Sequence, residues 1–300
     1  MKNYFHGIGR KYPYFEGWYL KHQNERNMIA LIPAVFADAK GKWIGSIQVI
    51  TEDGAWYLEY PIEECHISRE KFCVKIGNNL FSERGISIDI DRDGLKAEGS
   101  ISYSPFTTPA KDIMGPFRFL PVMECSHGIL SMVHLLSGKL TVNGKEADFT
   151  RGEGYIETDY GTSFPRKYSW TQCCFNDGGR NSLMAAVAEI PLFGTTFSGC
   201  ICNIYYRASE YRIATYRGAR IVRCDNENIV IRQGNLKLAV MKLGEYSYGL
   251  KAPVSGEMNR IIHESPVCRV RYCLWEKGRL IFDIISSRAS FESEWDTVKK

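Results

Sequence analysis

The chain has 300 residues, with 38 Lys and Arg against 34 Asp and Glu, a formal net charge of +4 at pH 7, 44% hydrophobic and 13% aromatic residues. So mild an excess, with basic runs no longer than pairs such as Arg166-Lys167, argues against a nucleic-acid partner. No apolar run approaches the ~18 residues of a membrane-spanning helix, and the N-terminal MKNYFHGIGRKYPYF lacks the apolar segment of a secretory signal.

The 10 cysteines contain no C-x-x-C pair, and Cys173-Cys174 and Cys200/Cys202 are spaced too closely for a zinc site. They read as small core hydrophobes in a reducing cytoplasm, and no metal site is expected of them.

In chain order, the first clear strand is FEGWYLK, Phe15–Lys21. Alternation puts Glu16 and Trp18 on one face and Gly17 and Tyr19 on the other. Gly17 beside a large ring suggests close backbone approach. Glu16 is expected to pair with Arg166 or Lys167, or to act as an acid. IGSIQVITEDGAWYLEYP then alternates on both sides of Asp53-Gly54, a hairpin signal, and SGKLTVNGKEADF does so around Asn143-Gly144. Helical periodicity is absent apart from short turns expected at Phe106–Met114 and Glu257–His263. In ECSHGILSMVH, His127 and His134 differ by seven and should face opposite ways, which argues against a shared metal. His127 then reads either as a hydrogen-bonded core histidine or as a proton relay to Glu157.

GYIETDYGTSFPRKYSWTQ, Gly154–Gln172, is the densest stretch. Extended, it places Tyr155, Glu157 and Asp159 on one face, with the two acid Cα atoms roughly 7 Å apart. Two carboxylates that close in an apolar cavity cannot both ionise cheaply, so one holds its proton toward neutral pH. Past the Phe164-Pro165 break, Tyr168, Trp170 and Gln172 share a face. Trp170 there is either core or a wall for a ligand.

Short strands separated by Gly, Asp, Asn and Pro make this an all-β chain. It also repeats. GLKA stands at Gly94–Ala97 and at Gly249–Ala252, Gly77-Asn78 returns as Gly234-Asn235, the segment from Ser46 resembles that from Cys200, and Trp18 matches Trp170. An offset this steady predicts an internal duplication, with β-domains over 1–150 and 151–300. A strand-only domain hides its edges by closing into a barrel, and about eight strands leave room for one small ligand.

FEGWYLK and GYIETDYGTSFPRKYSWTQC, with PFRFLPVMECSHGILSMVHLLSGKLTVNG between them, resemble the motifs of the tocopherol cyclases and their bacterial relatives. The acid of the longer motif is Glu157. Thr158, Asp159 and Tyr160 stand where the plant-type motif has Lys-Asn-Trp, and Tyr168 replaces its first Trp. The resemblance implies a tandem lipocalin-like β architecture. It also implies an isomerase-type reaction: a proton adds to a prenyl double bond and a phenolic oxygen closes the ring on the resulting cation, without redox cofactor or metal. On that reading Glu157 and Asp159 are the catalytic acids. Glu16, Trp18, His127, Tyr155, Tyr168, Trp170 and Gln172 contact a hydrophobic isoprenoid substrate, the rings shielding positive charge by ~0.5–2 kcal/mol each. The alternative is a non-catalytic lipocalin-like carrier of a hydrophobic ligand. Peripheral membrane contact fits either reading.

Overall fold

In the computed structural model, residues 4–10, 12–120, 123–192, 195–244, 248–254 and 257–295 are described, with side chains outside the description at 192, 248–254 and 257–266. The first sheet contains β1 (Tyr14–Gln23), β2 (Met28–Ala37), β3 (Trp43–Thr51), β4 (Ala55–Pro61), β5 (Cys65–Ile67), β6 (Cys73–Ile76), β7 (Asn79–Ser82), β8 (Gly85–Arg92), β9 (Leu95–Tyr103), β10 (Cys125–Val142), β11 (Lys145–Asp148) and β12 (Glu153–Gly161). The second contains β13 (Tyr168–Asn176), β14 (Arg180–Leu192), β15 (Thr195–Tyr206), β16 (Ser209–Ala214), β17 (Arg220–Cys224), β18 (Asn228–Gln233), β19 (Leu236–Gly244), β20 (Tyr248–Val254), β21 (Glu257–Glu276) and β22 (Arg279–Ser293).

Hydrogen bonding orders the first sheet β4-β3-β2-β1-β12-β10-β9-β8-β7-β6-β5, with β11 on β10. The second runs β16-β15-β14-β13-β22-β21-β19-β18-β17, with β20 on β21. The duplication is visible in these orders. In each, four strands step outward from the first, the last strand pairs with the first on its other side, and the path continues back to the middle of the unit. The turn glycines Gly77 (φ +56°) and Gly234 (φ +52°) link β6 to β7 and β18 to β19, corresponding places that need a left-handed residue. The GLKA match does not correspond. Gly94 makes the β8–β9 turn at φ +78°, whereas Gly249–Ala252 lies inside β20, where side chains are outside the description.

Neither expected helical turn forms. Phe106–Met114 is irregular, and a 3-10 turn follows at Gly115–Phe119, started by Pro116, whose missing N–H costs nothing in a first turn. Glu257–His263 lies within β21, where the β-branched pair Ile261-Ile262 suits a pleated strand better than a one-turn helix. Among the described residues, no helix is long and apolar enough to cross a membrane.

The chain divides into two compact units: Met1–Thr108 with His127–Phe164 and Leu250–Ile261, and Pro109–Ser126 with Pro165–Gly249 and Ile262–Lys300. Each has its own core made by alternate residues. In the first, Trp18, Leu20, Leu31, Val49 and Ile156 pack together; in the second, Cys173, Leu183, Ile204, Leu238 and Tyr272 do. Each sheet curls so that strands near its two ends come together: β3 comes against β6, and β16 against β18. In the second unit the half-buried Gln233 bridges that seam. Its Oε1 accepts from the Ala214 N–H at 2.9 Å and its Nε2 donates to the Arg212 carbonyl at 3.0 Å.

Candidate active site

β12 pairs with β1 so that Ile156 lies opposite Leu20 and Thr158 opposite Trp18. These even-numbered residues face the first unit's core. The odd-numbered Tyr155, Glu157 and Asp159 therefore share the opposite face, as alternation dictates. That face is also enclosed, since Tyr155 and Glu157 are buried and only Asp159 reaches solvent in part.

β10 lies on the other side of β12, and its start brings His127 to the acids. His127 Nδ1 is 2.8 Å from Asp159 Oδ1, and its Nε2 is 3.2 Å from Glu157 Oε2, within ion-pair range though not aligned as a hydrogen bond. The Tyr155 hydroxyl donates to Glu157 Oε2 at 2.5 Å. Tyr155, Glu157, His127 and Asp159 thus form one chain of contacts from the interior toward solvent. Close approach of β10 is helped by Gly128, where a Cβ would come within 3.1 Å of the Thr158 methyl.

Burial works against charge on His127, but the carboxylates of Asp159 and Glu157 outweigh it and hold the imidazole well above its ordinary pKa. Burial raises the Glu157 carboxyl, against the pull of His127. The sequence expectation placed the proton between two carboxylates; the structure puts an imidazole between them. One donor atom from each of His127, Glu157 and Asp159 lies within 4.8 Å of the others, a set a divalent cation could also use. The ring nitrogens, however, address different carboxylates.

The other expected residues lie elsewhere. Glu16 and Trp18 sit on the core face of β1, across the sheet from Glu157. Trp18 is fully buried in the core and tilts against Phe72 at 6.4 Å. Fully buried Glu16 pairs with neither Arg166 nor Lys167. Its partners are the His6 backbone N–H and Nδ1 and the Tyr14 hydroxyl, each at 2.8 Å. His6 also stacks on Tyr160 at 3.8 Å. The N-terminal segment carries no motif, so its histidine could not be foreseen as the partner.

Tyr168, Trp170 and Gln172 belong to the second unit. They share the face of β13 opposite its core, and all three are buried. Gln172 Nε2 donates to Cys174 Sγ at 3.4 Å, while its Oε1 has no hydrogen-bond partner. In register beyond it come Met184 on β14 and Asn203 on β15. Asn203 Oδ1 accepts from Arg212 Nε at 2.9 Å, which leaves Nδ2 unpartnered, as is Ser182 Oγ on the same face. Sequence reading missed Asn203, Ser182 and also Glu292, a buried acid directly opposite Trp170. Alternation along β14 and β15 was a usable signal for the first two.

His134 is on the core side, as parity requires. It meets Ser131 Oγ at 2.9 Å, and its ring fills the space a Cβ on Gly154 would need.

Fold and site together define a class: an all-β protein of two curled antiparallel sheets, with an imidazole held between two carboxylates in the wall of one. Solved structures share the fold. A candidate AttH from Nitrosomonas europaea aligns over 95% of this chain and 94% of its own at TM-score 0.59 and 9% identity. Kievitone hydratase from Nectria haematococca aligns over 98% and 93% at TM-score 0.53 and 11% identity. The chain belongs to the tocopherol cyclase-like family, whose model matches residues 95–292. It is 26% identical over 207 residues to "Probable tocopherol cyclase, chloroplastic" of Oryza sativa subsp. japonica, covering 62% of this chain and 43% of that protein. It is 26% identical over 192 residues to "Tocopherol cyclase, chloroplastic" of Zea mays, covering 57% and 40%. The chain thus spans less than half the length of these relatives.

Proposed function

We propose that this chain is a tocopherol cyclase-like enzyme that closes a ring on a hydrophobic prenylated small molecule, such as a prenyl quinol, in a reducing cytoplasm. The observation that carries this reading is His127 between two carboxylates, each addressed by a different ring nitrogen. Ring closure of this kind consumes no net proton. Glu157, whose carboxyl burial raises, gives a proton to the alkene, whose π electrons form the new C–H bond and leave a tertiary cation. The phenolic oxygen attacks the cation, forming the C–O bond, and its proton passes to Asp159. His127 then returns that proton to Glu157 by accepting on one nitrogen and releasing from the other. A relay with one acid to give and one to receive suits such a cycle. In the second unit, Tyr168, Trp170 and Gln172 are proposed ligand contacts.

The test is incubation with prenyl hydroquinones in D2O, read by mass spectrometry. One non-exchangeable deuterium in a ring-closed product is expected. The double variant Glu157→Gln, Asp159→Asn should fold and lose turnover by at least ~100-fold, the usual scale of a general acid. Turnover at the wild-type level overturns the assignment.

A second reading, a non-catalytic carrier, is favoured by the unpartnered buried Gln172 Oε1, Asn203 Nδ2 and Ser182 Oγ, which suit retention of a polar ligand group. Ligand that co-purifies and stays bound unchanged, with no product from any quinol, would establish it.

A further inference from the structure

The second sheet carries another pattern on the face turned away from its core. Ile221, Ile231, Leu238, Leu274 and Phe282 lie opposite one another across β17, β18, β19, β21 and β22 and pack into that core. One residue along, Arg220, Arg232, Lys237 and Trp275 lie opposite one another in the same way and therefore face outward; Leu280, opposite Trp275 across a bulge in the β21–β22 register, is exposed beside them. Farther along the same face come Met241, Arg271 and Ile285.

Two properties set this face apart. Nine large hydrophobic side chains are exposed among the described residues, and five of them, Val222, Met241, Leu243, Leu280 and Ile285, are on these strands, each 40–57% exposed. Between them stand Arg220, Arg223, Arg232, Lys237, Arg269 and Arg271. Among the described residues, acids answer two of these cations: Asp225 pairs with Arg223 and Asp283 with Arg271. Lys237 lies over the Trp275 ring at 4.6 Å.

We infer that this face docks on an anionic lipid surface. Cations with long apolar stems, set among aliphatic tips, match a plane of negative headgroups above acyl chains. A second copy of the same face is the wrong occupant, because cations would meet cations. A nucleic acid would be served by several aromatic platforms, and this face offers aliphatic side chains and one Trp. The inference stands whatever reaction the protein performs, although a membrane-dissolved prenyl substrate would be met there.

The experiment is sedimentation of the full chain with vesicles of phosphatidylcholine alone or mixed with phosphatidylglycerol. Binding at least tenfold tighter to the mixed vesicles is expected, weakening as salt is raised. The pair Arg232→Glu, Lys237→Glu should erase the preference, and the pair Met241→Ser, Ile285→Ser should weaken binding about tenfold, circular dichroism confirming the fold of each. No binding, equal binding to both vesicle types, salt-independent binding, or a stronger response to an oligonucleotide or an acidic protein overturns the inference. The wild-type salt series decides even if a variant fails to fold. No turnover is measured, so failure here leaves the proposed reaction untouched, and the converse holds.

Discussion

Each ring nitrogen of His127 faces its own carboxylate, and this makes the histidine's charge part of the local fold. Burial opposes the charge, and the pairing with Asp159 and Glu157 overrides it. A pKa raised by folding adds stability that is whole below the ordinary imidazole value of about 6.5 and disappears as pH rises through the raised value, at about 1.4 kcal/mol per pH unit. Glu157, also raised, acts in the same direction. Urea unfolding at a series of pH values should therefore show an alkaline decline in the wild type that His127→Gln flattens. Gly154 is a second residue whose role is set by what lies above it. A Cβ there would meet His134 Nε2 at 2.2 Å, so Gly154→Ala should destabilise by about 1–3 kcal/mol, read from the urea midpoint. Alternation along Gly154–Tyr160 made the common face of Tyr155, Glu157 and Asp159 legible. Nothing local marked Gly154 as the seat of a histidine ring from another strand.

At the scale of elements, β1, β9 and β10 are tied by a buried polar cluster. His22 Nε2 meets the Tyr103 hydroxyl at 2.5 Å, and the Tyr103 ring lies 4.5 Å from that of His134. Burial lowers both histidines to about 3, helped for His134 by its proximity to His22. The sign is now opposite. A histidine held neutral by the fold contributes stability that is whole above about 6.5 and is lost as pH falls toward 3. Acid unfolding should accordingly begin below pH ~6.5, and His134→Gln should move its onset to lower pH, followed by circular dichroism.

Gln233 is the other tie, closing the seam between β16 and β18. Gln233→Ala leaves a strand N–H and a carbonyl without partners and should cost about 1–3 kcal/mol in thermal unfolding. Turn glycines such as Gly77 and Gly234 were readable because the conformation is local. A side chain reaching across a seam was not, because the partners are about twenty residues apart.

For the whole molecule, the repeated strand order is what the recurring motifs pointed to, yet the last strand of the first unit is not where a simple halving ends. β12 begins at Glu153 and is inserted between β1 and β10. A fragment of residues 1–150 lacks it and exposes two long strand edges, so it should aggregate in gel filtration where the full chain does not. Composition and alternation determined by themselves that the chain is all-β and that it repeats, because strand signals and turns depend on neighbours in sequence; its motifs resemble those of the tocopherol cyclase-like family to which the chain belongs. Only the tertiary structure decided that His127 joins Glu157 and Asp159, that Glu16 answers to His6, and that Trp18 is core. Those contacts depend on which strands pair, and pairing is settled by closing sheets around buried surfaces, which no short stretch of sequence encodes.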